Sequence, residues 1–185
     1  MALTRLNGVN AITGTIPQGN IANASLGAVT ALPTGLGGKV LQVVQATDGT
    51  EKSTTNTSFQ DTSLSVNITP SSTSNKILII GSLRIKSETA SGGVNADVVG
   101  LALFADSSNI FELDTNSRTG IQYYGNNGSG GISRFQLADN LTYLHSPSST
   151  SQIAYSIKIK TRGTHPAVLN PNNCISSITA FEIGA

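Results

Sequence analysis

His145 and His165 are the two imidazoles in the sequence, and so the two side chains whose ordinary pKa suits proton transfer near neutral pH. Catalysis would need one of them beside a nucleophile or a metal. Neither sits in such a pattern: there is no G-x-S-x-G elbow, no Ser-x-x-Lys pair and no His-Glu-x-x-His helix. His145 follows Tyr143-Leu144 and precedes Ser146-Pro147, the end of a strand or a loop, where a surface or hydrogen-bonded histidine is expected. Asp97, Asp106, Asp114 and Asp139 fall at the ends of apolar runs, where a short carboxylate serves a turn. A glycosidase pair could be drawn from any such set, and nothing in their spacing favours one. Cys174 is the only cysteine, which excludes a disulfide framework within the chain and a cysteine zinc cluster. At the head of an apolar strand it is expected to pack as a small buried hydrophobe. No metal, no cofactor and no enzymatic activity are expected.

Two features could bind rather than react. The run Gly125-Asn126-Asn127-Gly128-Ser129-Gly130-Gly131 is rich in glycine, but a phosphate cradle needs a following helix and a lysine, so it reads as a loop tip. It follows the one aromatic doublet, Tyr123-Tyr124. Aromatic faces beside amides suit a sugar, because tyrosine offers an apolar plane with a polar tip. Tyr123, Tyr124, Asn126 and Asn127 are therefore the candidate glycan surface. The competing reading puts one tyrosine in the core and the other over a sheet edge.

The elements that would position these residues are strands. Ser63 to Thr69 alternates strictly, with Leu64, Val66 and Ile68 on one face. Pro70 to Asn75 is a turn cluster, and Lys76 to Lys86 follows as a strand. There Ile77, Ile79, Leu83 and Ile85 share one parity while Leu78 and Ile80 take the other. The same doubling occurs in Val98 to Phe104. A sandwich strand has one apolar face and one wet face, so the doubling points to burial against another subunit, with Leu78, Ile80, Val98 and Phe104 as candidate contacts. Further strands are expected at Val40 to Ala46, Ile110 to Leu113, Ile121 to Tyr124, Ile132 to Ala138, Gln152 to Lys160 and Ile175 to Ile183. A bulge at Ser176-Ser177 would reconcile the opposite parities of Ile175 and Ile178. Eight or nine short strands between turn signals imply an all-β domain, an antiparallel, jelly-roll-like β-sandwich over residues 39–185.

Composition agrees. Charged residues make up 11% of the 185 positions, against roughly 25% in ordinary soluble domains, so neutral Ser, Thr, Asn and Gly must dress the surface. These residues favour turns and extended structure over helix interiors. Eleven Lys and Arg against ten Asp and Glu give a formal charge of +1, no footprint for a nucleic acid. No run approaches the ~20 apolar residues of a membrane span. The first residues lack the features of a secretory signal, so synthesis in a cytoplasm is expected. Residues 1–38 read differently: Ile12, Ile16, Ile21, Leu26 and Val29 stand apart among Gly, Asn, Thr and Pro. Alone, such a segment cannot offset its chain entropy. It is expected to be an extended attachment arm ordered by neighbouring proteins, with Gly35-Leu36-Gly37-Gly38 as the hinge.

The arm, with Ala11-Ile12-Thr13-Gly14-Thr15-Ile16-Pro17 and Asn20 to Leu26, resembles the attachment and shaft segments of phage fibre proteins. Gly38 to Val44, the stretch Val66 to Ile79 and the ending Ile178 to Gly184 resemble a domain of virion proteins of marine and cyanobacterial phages. The resemblance implies a homotrimeric tail fibre or spike, located in the virion. Its arm would bind another virion protein, and its C-terminal domain would face the host surface and its glycans. A capsid decoration protein or head fibre is the alternative within structural proteins. A polysaccharide-degrading spike is the alternative among enzymes.

Overall fold

A computed structural model describes residues 39–89, 98–112, 121–122, 133–161 and 166–185. These form β1 (Val40–Asp48), β2 (Lys52–Thr54), β3 (Gln60–Ile68), β4 (Lys76–Thr89), β5 (Val98–Ala105), β6 (Ser108–Glu112), β7 (Ile121–Gln122), β8 (Ser133–His145), β9 (Ile153–Thr161), β10 (Ala167–Leu169) and β11 (Ser176–Ile183). The helical structure among the described residues is one 3-10 turn, Pro171–Asn173. Lys39–Ala185 forms one compact unit.

Every strand pair is antiparallel. The first sheet runs β1-β11-β4, with β8 on the other side of β4, and β10 and then β2 continuing beside the far end of β4. The second runs β3-β9-β5-β6, with β7 also on β5. The first and last strands are neighbours in one sheet, and connections pass repeatedly between layers. This is the jelly-roll form of the sandwich, which limits free strand edges by folding one long antiparallel ribbon into two layers.

Alternation drives the packing. Leu64, Val66 and Ile68 of β3, Ile77, Ile79, Leu83 and Ile85 of β4, Tyr155, Ile157 and Ile159 of β9, and Ile178 and Ala180 of β11 are buried in one core. Val99, Leu101 and Leu103 of β5 join them. At the β8 side, Phe111 of the second sheet stacks on Tyr143 of the first, ring centroids 5.1 Å apart, and so joins the layers there.

Polar groups pin the ends. Where β11 gives way to β10 beside β4, the Arg84 backbone N–H donates to Ser176 Oγ at 2.8 Å, and its carbonyl accepts from Asn170 N–H at 2.8 Å. The ladder thus stays satisfied across the gap. Asn170 is buried with φ 55°, and its Nδ2 donates to Asp48 Oδ2 and to the Thr50 carbonyl. At the opposite end, buried Glu182 accepts through Oε1 from Ser71 N–H, Ser71 Oγ and Asn75 Nδ2 at 2.6–2.7 Å. That fastens the Pro70–Asn75 turn to the last strand.

Two expectations fail here. No bulge forms at Ser176-Ser177: β11 begins at Ser176 and alternates regularly, while Ile175 lies before the strand, 67% exposed, and needs no parity. The irregularity on this pair lies between Val40 and Gln42 of β1. Nor is Cys174 buried; it is exposed. The left-handed residues Asn170, Asn172 and Asn173 turn the chain just before β11, so Cys174 precedes the alternating strand instead of opening it.

Candidate assembly surface

The register of four strands sets an apolar row on the outer face of the first sheet. Val43 of β1 pairs with Phe181 of β11, Phe181 with Leu78 of β4, and Leu78 with Leu144 of β8. Residues opposite one another in adjacent strands share a face, with Cβ atoms roughly 5 Å apart, so these four side chains run continuously across the sheet. The next row is Gln45, Thr179, Ile80 and Thr142, with Gln45 Nε2 donating to Thr179 Oγ1 at 2.9 Å. On the other flank stand Val40, Leu41 and Ile183. Val40, Leu41, Val43 and Leu144 are each about half exposed, and Ile80 is 39% exposed.

The face is also uncharged. Between Lys76 and Arg84 of β4, the outward positions of β1, β11, β4 and β8 carry only apolar, hydroxyl and amide side chains. A monomer surface rarely leaves a large contiguous apolar patch wet. An uncharged one can meet an identical copy without like-charge repulsion.

The four predicted contact residues do not form one surface. Leu78 and Ile80 lie on this outer face, whereas Val98 and Phe104 belong to β5 in the opposite sheet. Phe104 is half-buried within its own chain: Phe59 meets its ring edge-on at a centroid distance of 5.9 Å, and Lys158 Nζ lies 4.3 Å from the ring centroid. Periodicity detected doubled faces in β4 and β5 alike, but could not reveal that β5 covers part of its second face from inside the subunit. Conversely, Val43, Leu144 and Phe181 escaped notice because their alignment with Leu78 exists only in the register. A local trace was present in the adjacent apolar pairs Val43-Val44 and Tyr143-Leu144.

The candidates for chemistry are placed as follows. His145 ends β8, half-buried, its Nδ1 2.7 Å from the hydroxyl of fully buried Tyr155. Burial lowers the pKa of His145, and burial together with the Asp106 charge raises that of Tyr155. Asp106 sits in the turn between β5 and β6 at φ 52°. Its N–H donates to the Ala154 carbonyl and its Oδ1 accepts from Ala154 N–H, a turn-holding role. Asp139 Oδ1 accepts from the adjacent Asn140 N–H. Among the described residues no group of three His, Cys, Asp or Glu side chains could hold a metal, and no helix is long and apolar enough to cross a membrane. His165, Asp97, Asp114, the glycan candidates Tyr123, Tyr124, Asn126 and Asn127, and the arm residues Ile12, Ile16, Ile21, Leu26 and Val29 lie outside the described residues.

No protein-family model matches the chain, and no curated protein matches it. Among solved structures it is similar to a mutant VP2 protein of infectious bursal disease virus in derived T=1 particles, with 14% identity, a TM-score of 0.37, and coverage of 78% of this chain and 36% of that one. The Gt strain of the same virus gives 14% identity, a TM-score of 0.35, and coverage of 79% and 39%. A VP2 subviral particle gives 16%, 0.33, and 78% and 38%. This chain thus spans 36–39% of those chains. Likeness at this level carries no argument about what the chain does.

Proposed function

We propose that this chain is a non-enzymatic structural protein of a virus particle, a trimeric phage fibre or spike that is anchored through residues 1–38 and attaches to a host surface. The observation that carries the reading is the outward-facing, uncharged row of Val43, Phe181, Leu78 and Leu144, whose end members Val43 and Leu144 are about half exposed while Leu78 and Phe181 between them are half-buried. A second copy of the chain is its natural cover. Four strands wide and about eight residue rises long, the face between Lys76 and Arg84 measures roughly 19 by 27 Å, about 500 Å² in plan. Side-chain relief raises the accessible area above that figure, towards the roughly 800 Å² each partner commits in a standard interface. Closed cyclic assembly is the common outcome of self-association. The three-fold order comes from the fibre resemblance, as does the attachment role, and the jelly roll is a scaffold used by both viral particles and lectins.

Sedimentation of the full chain tests the reading. The unmodified protein should be a trimer, and Ile80→Asp should release monomers, because an unpaired charge at a covered face costs several kcal/mol. Leu144→Asp on the neighbouring strand should do the same. Both side chains are partly exposed in the single chain, so the monomers should stay folded. An unmodified protein that sediments as a monomer would refute the assembly role.

A further inference from the structure

A cavity of about 250 Å³ opens where the β5–β6 turn meets the segment between β8 and β9. Its polar wall is made by Asp106, Ser108, His145, Ser149, Ser151 and Gln152. Ile110 and Pro147 supply apolar surface beside them. We infer that this cavity is a binding site for one neutral sugar residue, such as the end unit of a host surface polysaccharide. The inference deepens the attachment reading above and rests on it for the biological source of the ligand; the site itself follows from the cavity.

The wall is held in place by bonds already described. Asp106 is clamped to Ala154 through its N–H and its Oδ1, and among the described residues its Oδ2 carries no hydrogen bond. His145 is fixed by Tyr155 at Nδ1, and its Nε2 likewise carries none among the described residues. The cavity lining thus brings together a carboxylate, an imidazole, serine hydroxyls and an amide, with Ser149 Oγ also accepting from Ser151 N–H, the mixture of acceptors and two-way groups that ring hydroxyls require. Ile110 and Pro147 suit the C–H face of a sugar ring.

Size and charge narrow the ligand. Pockets for drug-sized molecules begin at roughly 300 Å³, so this one takes a single ring rather than an oligosaccharide. Among the described residues no lysine or arginine lines it, and one carboxylate does. A phosphate, a uronic acid or another acidic sugar would meet repulsion with nothing to offset it. His145 pairs with buried Ile77 on the inner face of the first sheet, whereas its neighbour Leu144 pairs with Leu78 on the outer one, so assembly and sugar binding can be tested with different residues.

The experiment is an NMR titration of the full-length protein with a panel of neutral hexoses and N-acetylhexosamines, with a uronic acid and glycerol alongside. At least one neutral sugar should shift the amides of Asp106, Ser108, His145 and Ser149 to Gln152 saturably at millimolar concentrations. Ser151→Trp, which places a bulky ring at the exposed rim, should abolish those shifts. Asp106→Asn keeps an acceptor for Ala154 and tolerates positive φ, and should weaken binding about tenfold, the change expected when one good hydrogen bond worth roughly 1.4 kcal/mol is lost. The rest of each variant's spectrum reports that it is folded. Absence of saturable shifts with every neutral sugar, equal binding of the uronic acid, or equal binding of glycerol would each overturn the site. If a sugar binds and particles carrying Ser151→Trp still adsorb normally to host cells, the site stands and the attachment reading fails.

Discussion

Replacing Glu182 by glutamine should destabilise the domain by about 3 kcal/mol at neutral pH. Glu182 is 2% exposed, yet its Oε1 accepts three hydrogen bonds, from Ser71 N–H, Ser71 Oγ and Asn75 Nδ2. A net hydrogen bond to a charged group contributes about 1.5–3 kcal/mol and one between neutral groups about 0.5–1.5. Removing the charge while keeping the shape thus loses roughly 1 kcal/mol for each of the three bonds. That is a large share of the 5–15 kcal/mol typical of a whole domain. The pH dependence gives a second, independent reading. Burial by itself raises the pKa of Glu182, and the bonds from Asn75 and Ser71 outweigh it, holding the carboxyl below its ordinary 4.5. A carboxyl with a lowered folded pKa contributes stability that is fully present above its unfolded value and is lost as pH falls through the folded one. Urea unfolding at pH 7 and again near pH 3 measures both. The gap between the native protein and Glu182→Gln should be wide at pH 7 and close as the native carboxyl takes up its proton. A difference under about 0.5 kcal/mol at pH 7, the ordinary scatter of surface substitutions, or one that persists unchanged in acid, would refute the account of this turn.

Other substitutions probe other joints. Asn170→Ala should cost about 2–4 kcal/mol in chemical unfolding, since it forces alanine into the left-handed region at about 1–2 kcal/mol and removes the bonds to Asp48 and Thr50; Asn170→Gly should recover the conformational part alone. Tyr155→Phe removes the hydroxyl that meets His145 Nδ1 and should cost roughly 1 kcal/mol while raising the pKa of His145, read by NMR, if that hydroxyl donates to the neutral ring. Asp48, whose pKa is lowered against burial by bonds from Ser63, Thr50 and Asn170, should add to the acid sensitivity, so Asp48→Asn should flatten the fall in melting temperature below the ordinary carboxylate range.

The layers were legible because a strand half-buried in a sandwich must alternate, and it does so in any context. Leu64, Val66 and Ile68, or Tyr155, Ile157 and Ile159, declare their inner face within a few residues of chain. The turn at Pro70–Asn75 was equally local, resting on proline and short polar side chains. What needs two distant segments was not legible. Nothing near Leu144 says that Leu78, Phe181 and Val43 stand beside it, and nothing near Asp106 says that His145 and Ser149 share its cavity. The apolar row depends on register, which a shift of one residue would invert by turning every side chain to the other face. The cavity depends on the jelly-roll connections that bring the β5–β6 turn to the end of β8. Ile175 and Cys174 show the same limit at short range: read as strand they had to obey a parity or be buried, and the left-handed turn at Asn170–Asn173 removed both from the strand. Sequence pattern determined which faces turn inward, because burial acts on each strand separately. Only the tertiary structure decided which outward residues become neighbours, because that contact is made between strands whose positions in the chain carry no mark of one another.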